Sequence, residues 1–132
     1  MKVLVDTSVW SLAFRKKGPQ EHPAVQKLAA LLDGNQGICL TGLILQEILQ
    51  AFRNDKSARK MERDLDPVPL LQLSRKDYVD AARLRRKCAS KGIAVTTADC
   101  QIAQAAVANG CPLLTADRDF ERISRVSNLR LL

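Results

Sequence analysis

The chain is short of the residues that most chemistries need. It has one histidine, His22, set beside Pro23 in a loop with no second His or Cys for company, so it reads as a solvated residue rather than a base or a metal ligand. Its four cysteines, Cys39, Cys88, Cys100 and Cys111, include no C-x-x-C pair, which excludes a zinc knuckle and a dithiol redox motif. Each sits among apolar neighbours and reads as a small buried hydrophobe in a reducing compartment. No long hydrophobic run is present: Met1-Lys2 leads into Val3-Leu4-Val5 and stops at Asp6, too short for a signal peptide or a membrane span, and predicts a cytoplasmic, soluble protein. Repeats, low-complexity tracts and linkers are missing as well, so residues 1–132 are expected to form a single domain.

What is present is an ordinary globular composition with a basic surplus. Hydrophobic residues make up 46% of the chain and charged residues 27%, and a chain of this length buries roughly 68% of its extended surface. Lys and Arg outnumber Asp and Glu by 21 to 14, a net charge of +7. That surplus points to a polyanionic partner, nucleic acid before membrane.

Short aliphatic runs alternate with helical patterns. Val3-Leu4-Val5, Ile38-Cys39-Leu40, Pro67 to Leu73 and Pro112 to Thr115 read as strands, the first with the unbroken apolar pattern of a strand covered on both faces. Between them, helices are expected from Val9 to Phe14 behind a Thr7 or Ser8 cap, from Pro23 to about Gly34, from Leu43 to Phe52, and from Asn54 to Asp66. Further helices run from a Ser74 to Asp77 capping box to Lys91, burying Tyr78, Ala81, Ala82 and Cys88, from Asp99 to Asn109, and from Arg118 onward. This alternation predicts a three-layer α/β/α domain with a central parallel sheet.

Asp99 is the residue that does not fit a plain structural account. It lies on the same arc of its helix as Ile102, Ala103, Ala106 and Val107. A first-turn acid behind a Thr96 or Thr97 cap also complements the helix dipole. Other acids are expected at the same corner. In an open parallel sheet the ligand site lies beyond the carboxyl ends of the strands; Asp6 directly follows the first strand, Asp117 follows the strand ending at Thr115, and Glu47 lies early in a helix whose strand ends there. Several carboxylates in one crevice raise one another's pKa unless a cation compensates them. All-oxygen ligands favour magnesium or manganese over zinc or copper, and a water activated by such a metal suits phosphodiester hydrolysis. Arg15, Lys16, Lys17, Arg83, Arg86 and Lys87 are the candidates for gathering a phosphodiester backbone.

Four stretches then resemble one family. Asp6-Thr7-Ser8-Val9-Trp10, Leu45-Gln46-Glu47-Ile48-Leu49, Asp99-x-x-Ile102-Ala103-x-x-Ala106 and Leu113-Leu114-Thr115-Ala116-Asp117-Arg118-Asp119-Phe120 are similar in order and spacing to the PIN domain, in particular to the VapC ribonuclease toxins of type II (VapBC) toxin-antitoxin pairs. Gln101 and Ala51 stand where many relatives carry an apolar residue and a glycine; both lie outside the acidic set. The resemblance implies a Mg2+- or Mn2+-dependent endoribonuclease that cuts tRNA or rRNA, and the expected carboxylate cluster with no His pair predicts in-line attack by a metal-bound water, leaving 5′-phosphate and 3′-hydroxyl ends. It carries over Asp6 and Asp99 as principal metal ligands, Glu47 and Asp117 as the rest of the acidic pocket, and Thr7 and Thr115 as residues that orient them. Asp119 is placed either at a second metal or at the start of the last helix. A homodimer and a cognate VapB-type antitoxin are the implied partners. Replacing Asp6 or Asp99 by Ala is expected to abolish cleavage with little loss of folding, because it relieves repulsion. The alternative is a non-catalytic RNA-binding or scaffolding PIN protein, from which only turnover separates the enzyme. An aspartyl-phosphate domain is disfavoured, because Asp6-Thr7-Ser8 lacks a second Asp two residues on and no Lys stands at the Leu113 to Asp117 strand end.

Overall fold

The computed structural model describes residues 2–15, 22–34 and 36–132. Among them four short strands, β1 (Val3–Val5), β2 (Ile38–Thr41), β3 (Leu70–Leu71) and β4 (Leu113–Leu114), form one sheet in the order β3-β2-β1-β4. All three pairings are parallel, with Val3 opposite Ile38, Leu40 opposite Leu70, and Leu4 opposite Leu113. Parallel neighbours require crossovers, and helices supply them: α1 (Thr7–Ala13) and α2 (Pro23–Asp33), then α3 (Gly42–Gln50) and α4 (Asp55–Leu65), then α5 (Arg75–Ser90) and α6 (Thr97–Ala108), with α7 (Asp119–Arg125) following β4. Successive strand residues point to opposite faces, so the complete burial of Val3, Leu4 and Val5 means that β1 is covered on both sides.

The first three strands step to one side, and the chain then crosses back to lay β4 against the free edge of β1. The β1/β4 seam is therefore the point where the direction of winding reverses, the place at which open α/β sheets hold ligands. A further edge contact comes from the last residues: Leu131 bridges Leu113 in parallel, and the Leu113 N–H donates to the Arg130 carbonyl at 2.9 Å.

Several local expectations are corrected. The segment from Pro67 to Leu73 pairs only at Leu70–Leu71, since two prolines in its first three residues remove ladder donors. The cap position of α1 is Asp6, not Thr7 or Ser8, whose hydroxyls are used elsewhere. His22 is more than a solvated loop residue: its Nδ1 accepts the Ala24 N–H at 3.1 Å and caps α2. On α5 the buried stripe is Ala81, Leu84 and Cys88, whereas Tyr78 and Ala82 are exposed. All four cysteines are reduced and buried, and Cys111 lies against Cys39.

Candidate active site

Asp6 leaves β1 at the reversal seam and is 5% exposed, one of two buried polar residues among the described residues, together with Thr41. Burial of a carboxylate demands donors, and two hydroxyls provide them on the same oxygen: Ser8 Oγ donates to Asp6 Oδ2 at 2.7 Å, and Thr115 Oγ1 donates to it at 3.0 Å. Each hydroxyl also accepts a backbone N–H from the turn after β4, Ser8 from Ala116 and Thr115 from Asp117, both at 3.0 Å. The ends of β1 and β4 are thereby sewn together through side chains. Asp6 Oδ1 takes no hydrogen bond among the described residues, and no fully buried polar atom there lacks a partner, so this oxygen is not sealed from solvent.

Asp117 is fixed by the same turn, its Oδ1 accepting the Asp119 N–H at 2.9 Å. Glu47, half-buried on α3, accepts from Thr7 Oγ1 at 3.0 Å, which ties the helix behind β2 to the first residue after Asp6. Thr41 holds the start of that helix by accepting the Ile44 N–H at 3.1 Å. Asp99 sits in the first turn of α6 as the acid of a capping box: Thr96 Oγ1 accepts the Asp99 N–H, and Asp99 Oδ2 accepts the Thr96 N–H at 3.2 Å. Its dipole-complementing role and its membership of the acidic set therefore coexist, because capping occupies one oxygen only.

Electrostatics join these acids more directly than hydrogen bonds do. Burial pushes the Asp99 carboxyl above its ordinary value; hydrogen bonds from Thr96 pull it back, and the neighbouring negative charges of Asp117 and Asp119 push it up again. Among the described residues no Lys or Arg forms an ion pair with Asp6, Glu47, Asp99 or Asp117, although Asp119 pairs with Arg122. Hard oxygen donors, like-charge crowding and the lack of a counter-ion within the set fit a divalent cation of the magnesium class. Among the described residues no three carboxylates already form an ion-holding cluster, so the acids share an edge without yet enclosing a point.

Of the proposed backbone-gathering residues, Arg15, Arg83, Arg86 and Lys87 are exposed, with Arg83 paired to Asp80, and Lys16 and Lys17 lie outside the described residues. Sequence reasoning gave Ser8 only a helix-capping role and did not single out Arg122. An acid followed two positions later by a hydroxyl, where a strand turns into a helix, is the signal that points to Ser8.

A comparison with protein-family profiles matches residues 3–126 to the PIN domain. The chain belongs to the PIN-domain family. It is 31% identical over 130 residues to ribonuclease VapC11 of Mycobacterium tuberculosis, an alignment covering 97% of this chain and 96% of that protein. Among solved structures, VapBC-1 from nontypeable Haemophilus influenzae superposes with a TM-score of 0.78 at 16% identity, over 100% of this chain and 97% of the other. VapBC2 from Rickettsia felis, solved on a DNA fragment from its promoter, gives 0.76 at 20% identity, over 100% and 98%. At those identities the superpositions establish the fold. Among the described residues no helix is long and apolar enough to cross a membrane.

Proposed function

We propose that this chain, as a single PIN domain over residues 1–132, is a VapC-type endoribonuclease toxin. The observation that carries the reading is that one hydroxyl, Thr115 Oγ1, holds both the Asp6 carboxylate and the Asp117 backbone N–H at the β1/β4 seam, with Asp99 close enough to Asp117 and Asp119 to be shifted by their charge. Asp6 and Asp99 are the principal candidates to hold Mg2+ or Mn2+, with Glu47 and Asp117 completing the set. When bound, such an ion supplies charge neutralisation at a scissile phosphate and a more acidic water. Ser8 and Thr115 orient the Asp6 carboxylate through its Oδ2 and leave its Oδ1 without a hydrogen bond among the described residues. Thr7 orients Glu47 by donating to its Oε1. Arg15, Arg83, Arg86 and Lys87 offer exposed cations for the RNA backbone. Relatives named as ribonucleases and fold neighbours solved as VapBC complexes support an RNA substrate, tRNA or rRNA by family likeness, and a VapB-type antitoxin in the cytoplasm. A homodimer is part of the same reading.

The test is digestion of total RNA with wild type and Asp6→Asn, with and without chelator, and mapping of the cut ends. Magnesium-dependent cuts bearing 5′-phosphates, lost in Asp6→Asn, are expected. Cyclic phosphate ends, or full activity in excess chelator, would refute it. A second reading, a PIN protein that binds RNA without cutting it, is favoured by one observation: the carboxylates do not yet form an ion-holding cluster. RNA retention with no turnover under any divalent cation would establish that reading instead.

A further inference from the structure

The carboxyl edge of the sheet carries a second recess. Thr41 closes β2 and Leu71 closes β3, and because every pairing is parallel these ends open on the same lip as Asp6 and Asp117. Acids occupy the β1/β4 part of the lip, and the recess lies at the β2/β3 part. From the end of β1 to the midpoint of β2 and β3 is about one and a half strand spacings, ~7 Å. That is roughly the reach over which a nucleotide carries its base from its phosphate.

The recess has a volume of about 150 Å³. Pockets for drug-sized ligands run from ~300 to 1,000 Å³, so this one has room for a single planar ring system and little else. Its walls, which include Thr41, Leu43, Gln72, Leu73, Tyr78 and Gln101, carry no charge, in a chain whose net charge is +7. A phosphate seat is built with Lys or Arg or with converging N–H groups; a neutral wall of hydroxyl, amide and apolar surface suits a neutral heterocycle. Tyr78 is 51% exposed, leaving much of its side chain uncovered. Neither Gln72 nor Gln101 makes a side-chain hydrogen bond among the described residues, so two carboxamides, each a donor beside an acceptor, are uncommitted. Helix α6 joins the two parts of the lip: Asp99 and Gln101 are two residues apart, about 200° around the helix, and Gln101 lines the recess while Asp99 feels Asp117.

We infer that this recess is a nucleobase subsite: it takes one base of a single-stranded RNA whose adjoining phosphate lies over the acids, with Tyr78 stacking on the ring and Gln72 and Gln101 reading its edge. The inference rests on the nuclease reading for the position of the phosphate, but not for the binding of the base. Carboxamides discriminate bases through paired donor and acceptor contacts, and an aromatic face adds sequence-tolerant affinity.

Two measurements test it. In the first, wild type, Gln72→Ala, Gln101→Ala and Tyr78→Ala each digest a randomised single-stranded RNA library with magnesium, and base frequencies around the cuts are counted. Wild type is expected to prefer one base at a position beside the cut. The glutamine variants flatten that preference by roughly ten-fold, and Tyr78→Ala raises KM about ten-fold at little changed kcat. Preferences identical in all four proteins overturn the subsite. In the second, the side-chain amide NMR signals of Gln72 and Gln101 in full-length Asp6→Asn are followed while trinucleotides of each of the four bases are added. Shifts with at least one trinucleotide support the subsite even where wild type cuts no RNA, in which case the nuclease reading alone falls. No shift with any of the four overturns it, as does burial of both amides under a second copy of the chain.

Discussion

The acidic edge has two unlike parts. At the β1/β4 seam Asp6 is buried, its Oδ2 is doubly hydrogen-bonded, and the hydroxyls that bind it are themselves held by backbone N–H groups of the Ala116-Asp117 turn. On the helix side Glu47 and Asp99 are half-buried, and each is steadied by one threonine, Thr7 or Thr96. The seam is built at the cost of desolvating a carboxylate, which its hydroxyls offset; the helix acids keep partial access to water and so need less support. On the proposed nuclease reading, the seam is the part that fixes where a cation and phosphate sit. The other supplies charge from side chains with freedom to adjust.

The largest expected effect separates catalysis from folding across the two parts. Asp6→Asn and Asp99→Asn should each slow RNA cleavage by about two to three orders of magnitude, the usual scale for removing one electrostatic contributor from a reacting centre, measured as initial rates on one RNA. Their Ala counterparts should differ in stability. Asp6→Ala strands the hydroxyls of Ser8 and Thr115 without their acceptor, costing about 1–3 kcal/mol in urea unfolding. This revises the sequence-based expectation that Asp6→Ala folds almost as well as wild type: relief of repulsion is outweighed where the acid is a buried acceptor. For Asp99→Ala the lost capping bond, about 1 kcal/mol, is opposed by removal of a like charge, and the net change should be small. Equal stability losses would erase the distinction between the two parts.

Next in size come the hydroxyls. Ser8→Ala and Thr115→Val should each cost about 1 kcal/mol and lower cleavage less than loss of Asp6 does. Because both act on Asp6 Oδ2, a double-mutant cycle should show a coupling of about 0.5–3 kcal/mol. Thr7→Val, on the exposed side of the comparison, should cost less than either. Additive effects of Ser8 and Thr115 would mean that the clamp is two separate bonds.

Acidity sharpens the comparison further. The Asp99 carboxyl is held above its ordinary value of 3.8, chiefly by burial. The protonated form is thus the one the fold prefers, so Asp99 contributes stability that is fully present below 3.8 and is lost as pH rises through its raised value. In Asp99→Asn, stability should fall less over that interval than in wild type, read from urea midpoints. A divalent cation reverses the bias, because it binds the ionised acid in the folded chain: magnesium at one hundred times its Kd should stabilise wild type by about 2.7 kcal/mol, and chelator should remove the gain. A melting temperature indifferent to magnesium and manganese in wild type would argue for the non-cutting reading.

Much of this was legible in the residues. β1 showed itself by three aliphatic residues ending at an acid, and the acids at strand ends could be assigned to one edge because parallel strands end together. Hydroxyl geometry could not be read the same way. Ser8 looks like a helix cap in one dimension; its bond to Asp6 is local, but only the approach of the turn after β4, more than a hundred residues later in the chain, brings Thr115 onto the same oxygen and the Ala116 N–H onto Ser8. Tyr78 misled for a related reason. Periodicity places it with Ala81 and Cys88, yet it lies in the first turn of α5 and more than half of it remains exposed. His22, isolated in composition, proved to be a cap because Pro23 starts a helix whose second N–H needs an acceptor.

The smallest effect is expected at the thiols, which belong to neither part of the edge. Cys39 is pushed up to about 12 by burial and by its neighbour Cys111, and Cys100 to about 11 by burial, with Cys88 and Asp99 adding to it. Thiolate is the reactive form, so these groups should be nearly inert in the folded chain although they carry no disulfide. A thiol-specific chromogenic reagent at neutral pH should label them at the rate of global unfolding and leave cleavage unchanged before that. Faster labelling of Cys100 alone would show that the first turns of α6, and Asp99 with them, open independently of the seam, which would locate the adjustable part of the site on that helix.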